Sequence, residues 1–284
     1  NLKNVSAGPA ADSNPVWSPS GARLLFTSNR NGNMDIFMVD VEGGGGARPV
    51  TFSRRDDMWP SWKPDGSGIA YCGYENGYPQ VFTIAIGGGA QEAEPFYEER
   101  ACYPAYSPDG KRLALSSFGD LIVFTLSNMK SKNITEGLIE GNMVDDTMPV
   151  WSPRGNLIAF IGRYEAYSAE IYTISPSGKK IRRITEDLYK NFIPRWRPDG
   201  KGVIYSAFAM RQPPEIFVST PDGPEKDRLT DNFKTEMNPC FVPPDGEKIL
   251  YIRRDNEKDE LYIMDKDGSN QEPFLKEELP RVGR

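Results

Sequence analysis

Short apolar runs recur along this chain at nearly constant spacing: Leu24-Leu-Phe26, Ile69-Ala-Tyr71, Leu113-Ala-Leu115, Leu157-Ile-Ala-Phe160, Val203-Ile-Tyr205 and Ile249-Leu-Tyr251. Each is too short for a helix, is bounded by turn residues and is rich in β-branched and aromatic side chains, which predicts strands buried on both faces. Before each run stands a Pro-x-aromatic stretch ending in a Pro-x-Gly turn, whose proline fixes φ and whose glycine takes a conformation other residues resist. The first prolines of these stretches fall at 15, 60, 104, 149, 194 and 239. After each run comes a second apolar segment (such as Asp35-Ile-Phe-Met-Val39 and Glu170-Ile-Tyr-Thr-Ile174). Short outer segments then follow at Pro49-Val-Thr51, Asn133-Ile-Thr135, Arg183-Ile-Thr185 and Arg228-Leu-Thr230. Four short strands repeating about every 40–45 residues predict an all-β, six-bladed β-propeller with four antiparallel strands per blade.

The repeat tiles the chain from end to end, so residues 1–284 read as a single closed domain. Both ends offer a further outer strand, Leu2-Lys-Asn-Val-Ser6 and Pro273-Phe-Leu275. We expect residues 2–6 to complete the last blade and fasten the ring, with the carboxyl-terminal tail outside it.

Composition narrows the chemistry. A net charge of −6 and a pI near 5.0 argue against a nucleic-acid partner, which requires a basic face. No segment approaches the roughly 18 uninterrupted apolar residues of a membrane span. The three cysteines Cys72, Cys102 and Cys240 lie in different blades and are odd in number, so no disulfide framework is expected and they read as small core hydrophobes. The chain has no histidine, which removes Ser-His-Asp and Cys-His catalysis and every histidine-ligated metal site. Of common hydrolytic mechanisms, two-carboxylate glycoside chemistry survives.

The motif Asp-x-x-Pro-x-Trp-Ser-Pro-x-Gly at 12–21, then Ser28-Asn-Arg30-Asn-Gly32, Asp35-Ile-Phe37 and Val50-Thr51, resembles the TolB-like propellers, relatives of the WD-repeat family. All six repeats follow the template, with Tyr106 and Phe241 in place of tryptophan. The resemblance implies a non-catalytic module that takes a protein or extended peptide, with a periplasmic or extracellular location. TolB carries an additional α/β domain before its propeller, and here about fourteen residues precede the first motif, so the propeller alone is expected. Similar propellers gate prolyl-oligopeptidase-type peptidases and form some polysaccharide lyases. Two alternatives therefore stand beside the first: a carbohydrate-binding or carbohydrate-active propeller, and a gating or scaffold domain of a larger protein.

In four-stranded blades, the second-to-third hairpins and the blade-to-blade connections share one face. These are the segments that vary here, so that face is the expected binding surface. Three residues before each repeat proline stand Asp12, Asp57, Ala101, Asp146, Asn191 and Glu236. Six-fold geometry predicts that they gather at the mouth of the central channel, where Asp12, Asp57, Asp146 and Glu236 would offer oxygen ligands to Ca2+ or Mg2+. The plainer reading is that each caps its own turn. Trp59 falls outside the tryptophan template and has Tyr103 at the equivalent place one blade on. With Tyr74, Tyr78, Tyr164, Tyr167, Tyr189, Phe192, Phe208 and Phe233, these rings suit a peptide or a sugar. The longest blade-to-blade connection, 136–148, is the one expected to engage a partner.

Overall fold

A computed structural model describes residues 12–41, 46–87, 93–97, 99–136, 145–163, 169–186, 190–208, 212–223, 225–243, 245–255 and 258–273. They form six sheets of four antiparallel strands, each a meander in chain order. The expected six-bladed propeller is the observed fold. In blade one the strands are Asp12–Trp17, Arg23–Ser28, Asp35–Asp40 and Arg48–Pro49, and the other blades repeat that order. The outer position of blade six is taken by Glu272–Pro273. The proposed ring-closing strand at 2–6 lies outside the described residues.

In blades two to six the inner strand packs against the second and third strands of the preceding blade. Large side chains of neighbouring sheets therefore interdigitate, as in the cluster of Ala105, Ala114, Leu121 and Ile134 from blade three with Trp151, Phe160 and Tyr172 from blade four. The repeat tryptophan adds direction to this packing. Trp62, Trp151 and Trp196 donate their indole N–H to Val16 O, Ala105 O and Val150 O of the preceding blade at 3.3, 2.9 and 3.0 Å. A buried indole needs such a partner, so one side chain both fills the seam and fixes its register. Trp17 of blade one lies beside the buried Cys240 thiol of blade six, which brings the first and last sheets together.

The outer ladders end two residues earlier than the sequence segments suggested, at Asn133, Arg183 and Arg228. The reason is the threonine that follows. Thr51, Thr135, Thr185 and Thr230 accept the backbone N–H of Ile36, Leu121, Ile171 and Ile216, each at 2.9 Å, so a side chain replaces the next rung. The same hydroxyls face the carboxylates of Asp35, Asp120, Glu170 and Glu215. The next blade docks on this group through backbone bonds, from Asp57 N to Met34 O, Asp146 N to Gly119 O, Asn191 N to Ala169 O and Glu236 N to Pro214 O.

The seam between blades two and three lacks these parts, with Gln80 in place of the acid and Ala101 in place of the docking residue. A Cys72–Cys102 disulfide joins the two sheets there. This corrects the sequence expectation that all three cysteines are unbonded core residues; only Cys240 is free, and it is buried. Separation along the chain misled the count. Cys72 on a second strand and Cys102 on the next inner strand are 30 residues apart, yet inner strands pack on the second strands of the preceding blade.

Candidate functional site at the propeller axis

Every inner strand carries a β-bulge at its repeat proline. In blade one the pairing runs Asp12 with Ser28 and Ser13 with Thr27, then resumes at Val16 with Leu25; the other five blades shift at the same place. The residue just before each proline is driven into the left-handed region: Asn14, Trp59, Tyr103, Met148, Ile193 and Asn238 have φ between 52° and 56°. Asparagine tolerates this conformation; a β-branched isoleucine does so only at a cost of about 1–2 kcal/mol. Bulges of this kind re-aim a side chain. Here they turn the residue before the proline toward the axis, where Asn14, Trp59, Tyr103, Met148 and Ile193 line a cavity of about 260 Å³.

Trp59 and Tyr103 meet in this cavity, with ring centroids 4.4 Å apart and planes at 47°. The sequence singled out both. It missed Asn14, Met148, Ile193 and Arg195, which complete the wall. The available signal was the position before each proline, which changes from asparagine to tryptophan, tyrosine, methionine and isoleucine from blade to blade.

The residues three before each proline do not line this cavity. Asp57, Asp146, Asn191 and Glu236 are buried one to a seam, and Asp12 is partly buried. Each is engaged locally. Asp12 receives Arg30 at 3.2 Å, Glu236 is paired with Arg253, and Asn191 Nδ2 donates to Ala169 O at 2.9 Å and to Glu170 at 3.2 Å. Asp57 has no such cation. The hydroxyls of Thr51 and Ser53 approach its carboxylate, but burial, with Asp35 and Asp56 nearby, pushes its pKa up to about 7. Among the described residues no group of three or more acids or cysteines is placed to hold a metal ion.

The face expected to bind also carries the exposed apolar surface. Phe52 and Phe233 in blade-to-blade connections and Phe118 in a second-to-third hairpin are 75–76% exposed, and Tyr74 and Tyr78 flank the hairpin of blade two. Of the large exposed hydrophobics among the described residues, Met129 alone sits on the opposite face. Phe192 and Phe208 pack edge to face at 5.7 Å. Tyr164, Tyr167, Tyr189 and most of 136–148 lie outside the described residues. A second, larger groove of about 530 Å³ runs along the rim of the opposite face between blades three and four. Two of its cations are already engaged, Arg112 with Gly155 O and Lys132 with Ser177 O.

A family model described as the TolB beta propeller domain matches residues 46–280. The chain belongs to the TolB propeller family. A 51-residue stretch is 41% identical to the Tol-Pal system protein TolB of Syntrophus aciditrophicus, covering 18% of this chain and 11% of that protein, so the match spans about a tenth of the relative's length. Among solved structures, TolB from Acinetobacter baumannii superposes with a TM-score of 0.66 at 20% identity, covering 95% of this chain and 64% of the other. Oligogalacturonate lyase from Vibrio parahaemolyticus superposes with a TM-score of 0.65 at 14% identity, covering 96% and 80%. At such identities the likeness to solved structures is one of fold. Within the TolB propeller family a shared ring does not fix a ligand, so the reading of this member rests on its own axial and face residues.

Proposed function

We propose that this TolB-like propeller is a non-catalytic recognition module that takes a protein segment or extended peptide on its aromatic face and at the mouth of the axial channel. The observation that carries the reading is the Trp59–Tyr103 pair, held in the axial cavity by two bulges, together with Phe52, Phe118 and Phe233 exposed on one face of the ring. Backbone strain kept at one position in six blades is a device for presenting side chains, and rigid rings offer contact area at small entropic cost. The cavity admits a side chain, and the surrounding rings extend the contact outward. The disulfide between blades two and three fits an oxidising compartment, in keeping with a periplasmic or extracellular setting.

The test is selection of linear peptides from a random library against the intact chain, followed by titration against Trp59→Ala and Phe233→Ser. Selected peptides should lose about tenfold or more in affinity to Trp59→Ala, as expected for an aromatic anchor in a pocket. A library that yields no binder, or binders indifferent to both substitutions, refutes the reading. Oligosaccharides that bind on a glycan array and are lost in Trp59→Ala would replace the peptide by a sugar.

A further inference from the structure

The residue after the repeat proline is Val16, Ser61, Ala105, Val150 and Cys240 in five blades, all small or apolar, and Arg195 in blade five. Arg195 lines the axial cavity and is, among the described residues, the only charged side chain in its wall. The side chain is half-buried. Its guanidinium makes one hydrogen bond among the described residues, from Nη1 to the carbonyl of its own neighbour Pro194 at 3.3 Å. Burial pulls its pKa down, and the one electrostatic neighbour acting on it is the Cys240 thiol, whose own pKa burial pushes up to about 11, so the thiol stays neutral. Among the described residues no carboxylate opposes it.

An arginine remains protonated throughout the accessible pH range. A charge drawn partly out of water is normally paired, because losing hydration without a partner costs free energy. The contrast within this chain is direct: Glu236 has Arg253, Glu170 has Arg183 and Asp12 has Arg30. Arg195 instead borders a space that also holds Trp59, Tyr103, Met148 and Ile193.

We propose that the axial cavity binds a carboxylate carried on an apolar or planar body, with Arg195 as its counter-charge and the Trp59–Tyr103 pair as the surface on which the body rests. The inference rests on the peptide-binding reading and deepens it: the segment enters carboxylate first, through a chain terminus or an acidic side chain. Chemistry selects the anion. The guanidinium fork matches the two oxygens of a carboxylate, whereas a phosphate dianion would bring a second charge into a cavity with no second cation in its wall. Size selects the body, because 260 Å³ corresponds to roughly nine water volumes, room for one amino-acid residue.

The experiment titrates the intact chain with N-acetyl-phenylalanine, N-acetyl-phenylalaninamide and inorganic phosphate, read by calorimetry and tryptophan emission at low ionic strength. The acid should bind in the millimolar range or tighter, and the amide and phosphate about tenfold or more weaker. Arg195→Gln and Arg195→Met should each reduce the acid to the level of the amide. Equal binding of acid and amide, tighter binding of phosphate, full binding to a folded Arg195→Gln, or no heat with the acid up to about 20 mM overturns the proposal. The acid-amide comparison needs no variant, so a substitution that fails to fold does not protect the idea. If acid and amide bind alike and both are lost in Trp59→Ala, peptide recognition stands and the carboxylate falls. If neither binds, the carboxylate falls and the library selection decides the broader reading.

Discussion

Asp57 is a buried carboxyl without a cation, and replacing it by asparagine should change how stability depends on pH. The carboxyl sits opposite Gly73 in its ladder, where even a Cβ would come within 2.9 Å of Oδ1. Its Oδ2 has no hydrogen-bond partner, and burial raises its pKa from 3.8 to about 7. Asp35, the acid it faces across the seam, is also raised by burial, so the two titrate as a pair. A folded-state pKa above the unfolded one means that the folded chain holds the proton more tightly. The stability is fully present below the unfolded value and is lost as pH rises through about 7. Raising the carboxyl from its ordinary value to about 7 corresponds to about 4 kcal/mol at most, of which about 2–3 kcal/mol is lost between about pH 5 and pH 8. Blade five shows that the position accepts an amide, since Asn191 occupies it and donates to Ala169 O. Asp57→Asn should therefore match the unaltered chain near pH 5, exceed its stability by about 2 kcal/mol near pH 8, and remove most of the slope between. Urea unfolding followed by tryptophan emission at four pH values measures this. Parallel pH profiles for the two chains would refute the assignment of that slope to the seam between blades one and two.

Three further outcomes follow from the packing of the blades. Reducing the Cys72–Cys102 bond, or replacing both cysteines by alanine, opens a loop with a sequence separation of 30 and should cost about 3–4 kcal/mol in chemical unfolding; unchanged midpoints with and without dithiothreitol would contradict this. Thr185→Val removes the acceptor for Ile171 N–H and a donor to Glu170 in a buried seam, for an expected loss of about 2–4 kcal/mol, whereas a loss within error would show the threonine to be dispensable. Ile193→Asn places at φ 56° the residue type that Asn14 and Asn238 already use, and relief of strain should raise stability by about 1 kcal/mol; a lower melting temperature would mean that the isoleucine's packing outweighs its backbone cost.

The sheets were legible because their signals are local. Pro-x-Trp, the Pro-x-Gly turn and the short apolar run each act within a few residues, and each recurs in every blade with few exceptions. The axial wall was half legible: Trp59 and Tyr103 stood out as aromatics off the template. Six-fold geometry suggested instead that the residues three before the proline share the axis. The bulge adds one residue to the inner strand between those acids and the rest of the strand, so the residue next to the proline turns inward and the acids stay in the seams. The disulfide was hidden for a different reason: its two cysteines meet only because blade two stacks on blade three, a contact that spacing along the chain does not encode. Arg195 was passed over because its significance lies in what it lacks, a counter-charge, and that is visible only when its surroundings are known.

The left-handed residue before each proline has a consequence for how such a ring diversifies. Its side chain leaves the ladder without taking part in pairing or in the tryptophan bonds between blades, so it can be exchanged while the scaffold is kept. Around the axis the chain spells asparagine, tryptophan, tyrosine, methionine, isoleucine, asparagine. Rewriting that six-letter word, one substitution per sheet, would give the same framework a different selectivity.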